Sequence, residues 1–206
     1  RLGRHDDALR HLRQAFQLYV ELGDHTGMAH SLRSMAWALD RQQRYRAALP
    51  HVHRALRLFQ GTGHLAGQAR ALNAIGWFHS RLGDHEEALV HCQRALDLQE
   101  EIGDRFDEAD TLDSLGHAHY QLGRYAEAVA CYRRAIDLYR EFGDQYNEAD
   151  TLVKLGDSQF ASTAPDEARR SWERALDLLD QLGHPAADLL QARLRTQSAG
   201  QTVSWC

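Results

Sequence analysis

The chain repeats itself every 40 residues, and that period limits the folds open to it more than any other feature. Leu22-Gly23-Asp24, Thr62-Gly63-His64, Ile102-Gly103-Asp104, Phe142-Gly143-Asp144 and Leu182-Gly183-His184 stand in register. So do Ala8, Ala48, Ala88, Ala128 and Ala168, and again Ala15, Ala55, Ala95, Ala135 and Ala175. A second glycine turn falls midway in each period at Leu2-Gly3, Leu82-Gly83 and Leu122-Gly123, with Gln42-Gln43 and Ser162-Thr163 as irregular members. Each period is therefore two segments between two turns.

Both segments read as helices. Ala69, Leu72, Ile75, Gly76 and His79 recur with helical spacing, and Ala88, Cys92, Ala95, Leu96 and Ile102 form one apolar stripe on the partner. Gly103 suits a left-handed helix end, and Asp104 can cap the helix that follows. Asp84 with Glu87 three residues on has the form of a capping box. Small residues at Gly76, Ala88 and Ala95 predict a close helix–helix approach. Val52, Cys92, Tyr132 and Trp172 share one column, assigned to the core. The expected class is all-α, built of antiparallel helix pairs.

Composition narrows the function. A net charge of −5 gives no bulk attraction to nucleic acid or anionic lipid, and no apolar run reaches the ~20 residues of a membrane helix. Three widely spaced cysteines, Cys92, Cys131 and Cys206, argue for a reducing compartment, and the expected location is the cytoplasm. No phosphate loop, nucleophile elbow, metalloprotease motif or CxxC pair is present, so neither an enzyme nor a cofactor is expected. Cys92 beside His91 is assigned to packing. His11, His51 and His91 recur in one column, but stacked helices stand ~8–10 Å apart, too far for three such nitrogens to meet one ion, and no metal is expected.

The pattern Leu72, Ile75-Gly76, Ala88, Cys92, Ala95, and more closely Leu112, Leu115-Gly116, Ala128, Tyr132, Ala135, resembles the tetratricopeptide repeat in a 40-residue variety. The resemblance implies a right-handed α-solenoid of antiparallel helix pairs, the TPR superhelix. It divides the chain into the second helix of a truncated repeat (1–26), four repeats (27–66, 67–106, 107–146 and 147–186), a capping helix (187–196) and a flexible tail (197–206). Leu2-Gly3-Arg4 falls on the mid-repeat turn, so the orphan helix is expected over 5–22, with Ala8, Leu12, Ala15 and Phe16 partly uncovered. That opening points to the C-terminal piece of a longer protein.

In this family the first helix of each pair lines a concave groove. Off-stripe positions place Arg33, Trp37, Asp40 and Arg41 there, then Arg70, Asn73, Trp77 and Arg81. Asp110, Asp113, His117 and Tyr120 follow, and then Asp150, Lys154, Asp157 and Phe160. The inferred groove is arginine-rich with two tryptophans first and aspartate-rich later. It is expected to hold a protein or peptide, since Trp and Arg are over-represented at binding hot spots.

Gly-Asp junctions, 23 arginines against the single Lys154, and the His184-Pro185-Ala186-Ala187-Asp188 ending resemble the C-terminal region of AfsR/SARP-type bacterial transcriptional regulators. That likeness implies a sensor acting on upstream domains of the same chain, with no direct contact to DNA. A peptide-pheromone receptor and a free-standing adaptor are the alternatives.

Overall fold

The computed structural model describes the backbone of residues 2–201 and the side chains of residues 7–196. Among the described residues it contains ten α-helices and no strand: α1 (Leu2–Leu22), α2 (His25–Asp40), α3 (Tyr45–Gly61), α4 (Leu65–Leu82), α5 (His85–Ile102), α6 (Arg105–Gln121), α7 (Tyr125–Glu141), α8 (Gln145–Ala161), α9 (Pro165–Gln181) and α10 (Ala186–Gln201). The helices fall into two compact units, residues 1–118 and residues 119–206, with the boundary inside α6. In the first unit each helix from α1 to α4 packs on its successor; in the second α7 packs on α8, α8 on α9 and α9 on α10. None of the described helices is long and apolar enough to cross a membrane.

The repeat columns become the core. Val52, Cys92, Tyr132 and Trp172 are all buried, as are both alanine columns from Ala48 and Ala55 onward. The first unit centres on Leu32, Met35, Phe59, Ile75 and Phe78, the second on Tyr132, Leu152, Trp172 and Leu179. Where the stripe of α1 was expected to be open, Ala8 is exposed and Leu12, Ala15 and Phe16 are half-buried, while Leu9 is buried.

Helix starts split into two kinds. Each first helix is capped one residue upstream: Asp24 accepts from the Gly27 N–H (2.8 Å), His64 Nδ1 from Gly67 (2.8 Å), Asp104 from Asp107 (3.3 Å) and Asp144 from Asn147 (3.1 Å). The second helices start at Arg44, Asp84, Arg124 and Ala164 without a side-chain cap. The capping box expected at Asp84 does not form, because its carboxylate turns instead toward His79 Nδ1 at 3.4 Å.

The irregular mid-repeat turns keep the backbone of the regular ones. Gly83 and Gly123 have φ of 92° and 72°, and Gln43 and Thr163 occupy the same left-handed region at 58° and 65°. Thr163 carries the greater cost, since a branched Cβ crowds that conformation. At the ends, α1 takes in Leu2 to Arg4, where a turn was expected; its first N–H groups lack intrahelical partners in any case. The last helix reaches Gln201, past the expected end at 196, and the rest of the expected tail, with Cys206, lies outside the described residues.

Candidate functional site

In the first unit α2, α4 and α6 meet with a stagger of three residues, so a residue on one faces the position 37 further along the chain. Arg70 on α4 donates to Asp107 on α6, Trp77 Nε1 donates to Asp40 on α2 (3.0 Å), and Ser80 Oγ meets His117 Nδ1 (3.0 Å). The expected groove residues Arg70, Trp77 and His117 thus spend their polar atoms on the neighbouring helix. Trp77 is held further by the Arg81 guanidinium 5.5 Å over its ring and by His117 at 5.5 Å. Arg81 also lies 5.0 Å over Tyr45 and donates to its hydroxyl at 2.7 Å.

The same stagger brings Arg33 opposite Arg70, cation against cation. Arg70 takes two acids at the start of α6, donating to Asp107 with the capping Asp104 at 3.6 Å, and these raise its pKa above the usual arginine value. Among the described residues Arg33 has no ion pair, its Nε is buried without an acceptor, and burial followed by Arg70 pushes its pKa down, with Asp107 acting the other way. A half-buried guanidinium without a counter-ion is costly to hold. One turn along α2, Trp37 is 37% exposed, with its ring 5.6 Å from Phe78, and Arg41 is exposed just past the helix end. Asn73 turns toward the paired helix, where its Oδ1 lies 3.6 Å from the Cys92 thiol. Burial raises that thiol to about 12 and keeps it protonated at neutral pH. Asp110 is exposed on α6 and Asp113 half-buried.

In the second unit Tyr120 packs its ring 5.6 Å from Tyr125, and Asp150 pairs with Lys154 at 2.9 Å along α8. Asp157 accepts from Trp172 Nε1 (3.0 Å) and from Arg193 (2.6 Å), and the Arg193 guanidinium lies 4.3 Å over the Trp172 ring. Phe160 is exposed, 5.8 Å from Trp172. The proposed groove set therefore divides between the units: Arg33 through His117 in the first, Tyr120 through Asp157 in the second. Arg193 escapes a reading of repeats alone because it sits on the last helix. Its signal is register, four periods after Arg33.

The histidine columns also resolve by packing. His91 stacks on His79 (5.6 Å, 6° between planes) and meets His53 edge-on at 6.3 Å, so its neighbours come from other columns than its own. Among the described residues no group of His, Cys, Asp and Glu side chains is arranged to hold a metal ion. Burial is the first cause that pushes His30, His51, His53 and His91 below the ordinary value of about 6.5. Neighbouring groups add to it: Arg33 at His30, where Asp24 acts the other way, Arg13 and Arg54 at His51, His79 and Arg57 at His53, and His79 at His91, where Glu87 acts the other way. The fold thus favours neutral imidazoles, and the unfolded chain binds more protons below about pH 6.5. Stability is full above that pH and is lost as pH falls through it toward the depressed folded values. Thermal melts at pH 7.5 and 5.5 are expected to show the lower melting temperature at 5.5; an equal or higher one there would overturn this assignment.

Paired antiparallel helices stacked in a 40-residue register, with exposed Trp and Arg on the first-helix face, define a helical-repeat scaffold. The tetratricopeptide-repeat profile matches residues 1–61, 67–141 and 107–181, and the chain belongs to that family. It is a fold that supports interaction with proteins and peptides.

No curated protein matches the sequence significantly. Among solved structures, BtubC (BKLC) from P. vanneervenii superposes with a TM-score of 0.73 at 15% identity, over 98% of this chain and 94% of that one. A Rap protein complexed with competence and sporulation factor gives 0.65 at 20% identity, over 93% of this chain and 58% of that one. RapI in its apo form gives 0.75 at 14% identity, over 93% and 53%. At these identities the likeness is one of fold.

Proposed function

We propose that the chain is a non-enzymatic binding module whose recognition face is the first-helix surface of the N-terminal unit around Arg33, Trp37 and Arg41. The observation that carries this reading is Arg33: a half-buried cation with no ion pair among the described residues, beside a partly exposed tryptophan. An incoming carboxylate relieves the unpaired guanidinium, and an apolar side chain covers the Trp37 ring. Arg70, Asn73, Trp77, Arg81, Asp110, Asp113 and His117 border that surface, and Tyr120, Asp150, Lys154 and Asp157 offer a second one on the other unit. The partner is a protein or peptide; nucleic acid and membrane are not partners.

The wider setting we propose is the C-terminal sensor of a cytoplasmic bacterial transcriptional regulator of the AfsR/SARP type, acting in signal transduction on upstream domains of its own chain. The sequence likeness supports it. A peptide-pheromone receptor is the second reading, favoured by the likeness to the Rap protein complexed with competence and sporulation factor. Tryptophan fluorescence, titrated with peptides that place a carboxylate beside an aromatic residue, tests the face. A saturable change is expected in the wild type, lost in Trp37→Ala and weakened at least tenfold in Arg33→Gln. Unchanged binding in both variants would overturn the assignment. Reading the coding frame upstream of Arg1 separates the settings: a GxxxxGK[ST] loop behind a helix-turn-helix supports the regulator, and its absence removes that reading.

A further inference from the structure

Between α7, α8 and α9, within the second unit, lies a cleft of about 560 Å³. Its floor is apolar, made by Ile136, Leu152 and Leu155, and its rim carries Arg133, Arg140, Arg170 and Arg174. Four of the ten basic residues in a unit that carries 13 acidic ones meet at this one opening.

The repeat register explains why the cleft is open. Two periods earlier, in the first unit, the positions of Arg133, Gln159 and Ser171 are held by His53, His79 and His91. There the three imidazoles pack against one another at 5.6 and 6.3 Å and fill the gap. In the second unit the third ring is replaced by Ser171, whose hydroxyl donates to Gln159 Oε1 at 2.7 Å. The charges change in step: Arg133, Arg140 and Arg170 stand where the first unit has His53, Gln60 and Val90, and only Arg174 matches an arginine, Arg94. The ring plug is lost and three guanidiniums are gained at the same opening.

The acids present do not saturate these arginines. Arg140 and Arg174 converge on one oxygen of buried Glu148, at 2.9 and 3.5 Å, and Arg140 also reaches exposed Asp137 at 3.3 Å. Arg133 pairs with Glu167 at 3.1 Å, an acceptor it shares with Gln159 Nε2 at 3.2 Å. Arg170 has no ion pair among the described residues. Four guanidiniums over three carboxylates leave a surplus of positive charge above an apolar floor.

We propose that this cleft is a binding site for the phosphate group of a small molecule, separate from the peptide-binding face. A tetrahedral dianion offers three acceptor oxygens to guanidiniums that reach it from different helices, the geometry for which arginine is suited. The volume lies within the range of small-ligand sites. Free polyphosphate and a phosphate ester share this chemistry, and the apolar floor distinguishes them by accepting an organic body.

The test is calorimetric titration of the full chain with inorganic pyrophosphate and with phenyl phosphate, in chloride buffer at constant ionic strength. Saturable binding of at least one is expected. Tighter binding of phenyl phosphate identifies an ester, and tighter binding of pyrophosphate a free polyphosphate. Arg170→Gln, at an exposed position, is expected to leave the melting curve unchanged and weaken binding at least fivefold. Ser171→His, which restores the residue found at His91, is expected to fill the cleft and abolish binding. Absence of saturable binding by either probe, or wild-type affinity in Arg170→Gln, would overturn the proposal whatever becomes of Ser171→His.

Discussion

Trp172→Ala is expected to lower stability by about 3–5 kcal/mol, the range for removing a fully buried large aromatic side chain. The indole is completely buried between α8 and α9 and fills the space left by the missing side chain of Gly156, where an added Cβ would run into the ring. Its N–H is shared between the Asp157 carboxylate at 3.0 Å and the Val153 carbonyl at 3.2 Å, and Arg193 covers its face. Truncation therefore opens a cavity and also loosens one of the contacts that fasten α10, beside those of Ala187 and Leu190. Each repeat buries its apolar face only against its neighbours, so the loss stays local. Hydrogen exchange is expected to accelerate first in α8, α9 and α10, with α2 to α4 keeping their protection. Trp172→Phe separates the two contributions: it retains much of the packing and drops the hydrogen bond, for a loss smaller by at least half. A cost below about 1 kcal/mol for Trp172→Ala would show that the column is not the core of this unit.

Trp172 is legible as core from the repeat columns alone, and the reason marks where sequence reading works. Within one helix the spacing of apolar residues fixes which side is buried, so the column Val52, Cys92, Tyr132 and Trp172 identifies itself. Helix ends are legible where backbone chemistry is local, as at Asp24, Asp104 and Asp144, each reaching the N–H three residues on. Asp84 fails the same rule because a histidine one turn back on the preceding helix competes for its carboxylate.

The candidate site is legible in direction and not in company. Periodicity predicts that Trp77 and Asn73 lie off the main stripe. It does not contain the three-residue stagger among α2, α4 and α6, which pairs Trp77 with Asp40, nor the contact of Asn73 with Cys92. That stagger also singles out Arg33, since it delivers Arg70 rather than an acid to the facing position. The arginine cleft is legible only through register: Arg133, Gln159 and Ser171 are unremarkable singly and informative against His53, His79 and His91.

Gly76→Ala is the sharpest test of the close helix approach, because it adds one methyl group and changes nothing else. A Cβ at Gly76 would collide with the Cys92 sulfur, lie 2.9 Å from the Ala88 carbonyl oxygen and lie 3.2 Å from the Cys92 backbone nitrogen. The sulfur can be removed, but the two backbone atoms belong to α5 itself, so α4 and α5 must part along their whole shared seam. In an open helix interior the same change stabilises by up to about 1 kcal/mol through propensity. Here the overpacking is expected to win, with a net loss of about 1–3 kcal/mol in denaturant unfolding. Cys92→Ala in the same chain isolates the cause: it relieves the sulfur clash and leaves the backbone clash, so the double variant recovers only part of the loss. Full recovery would place the whole constraint in the thiol. A neutral or stabilising Gly76→Ala would mean that the helices are not seated on each other through this glycine.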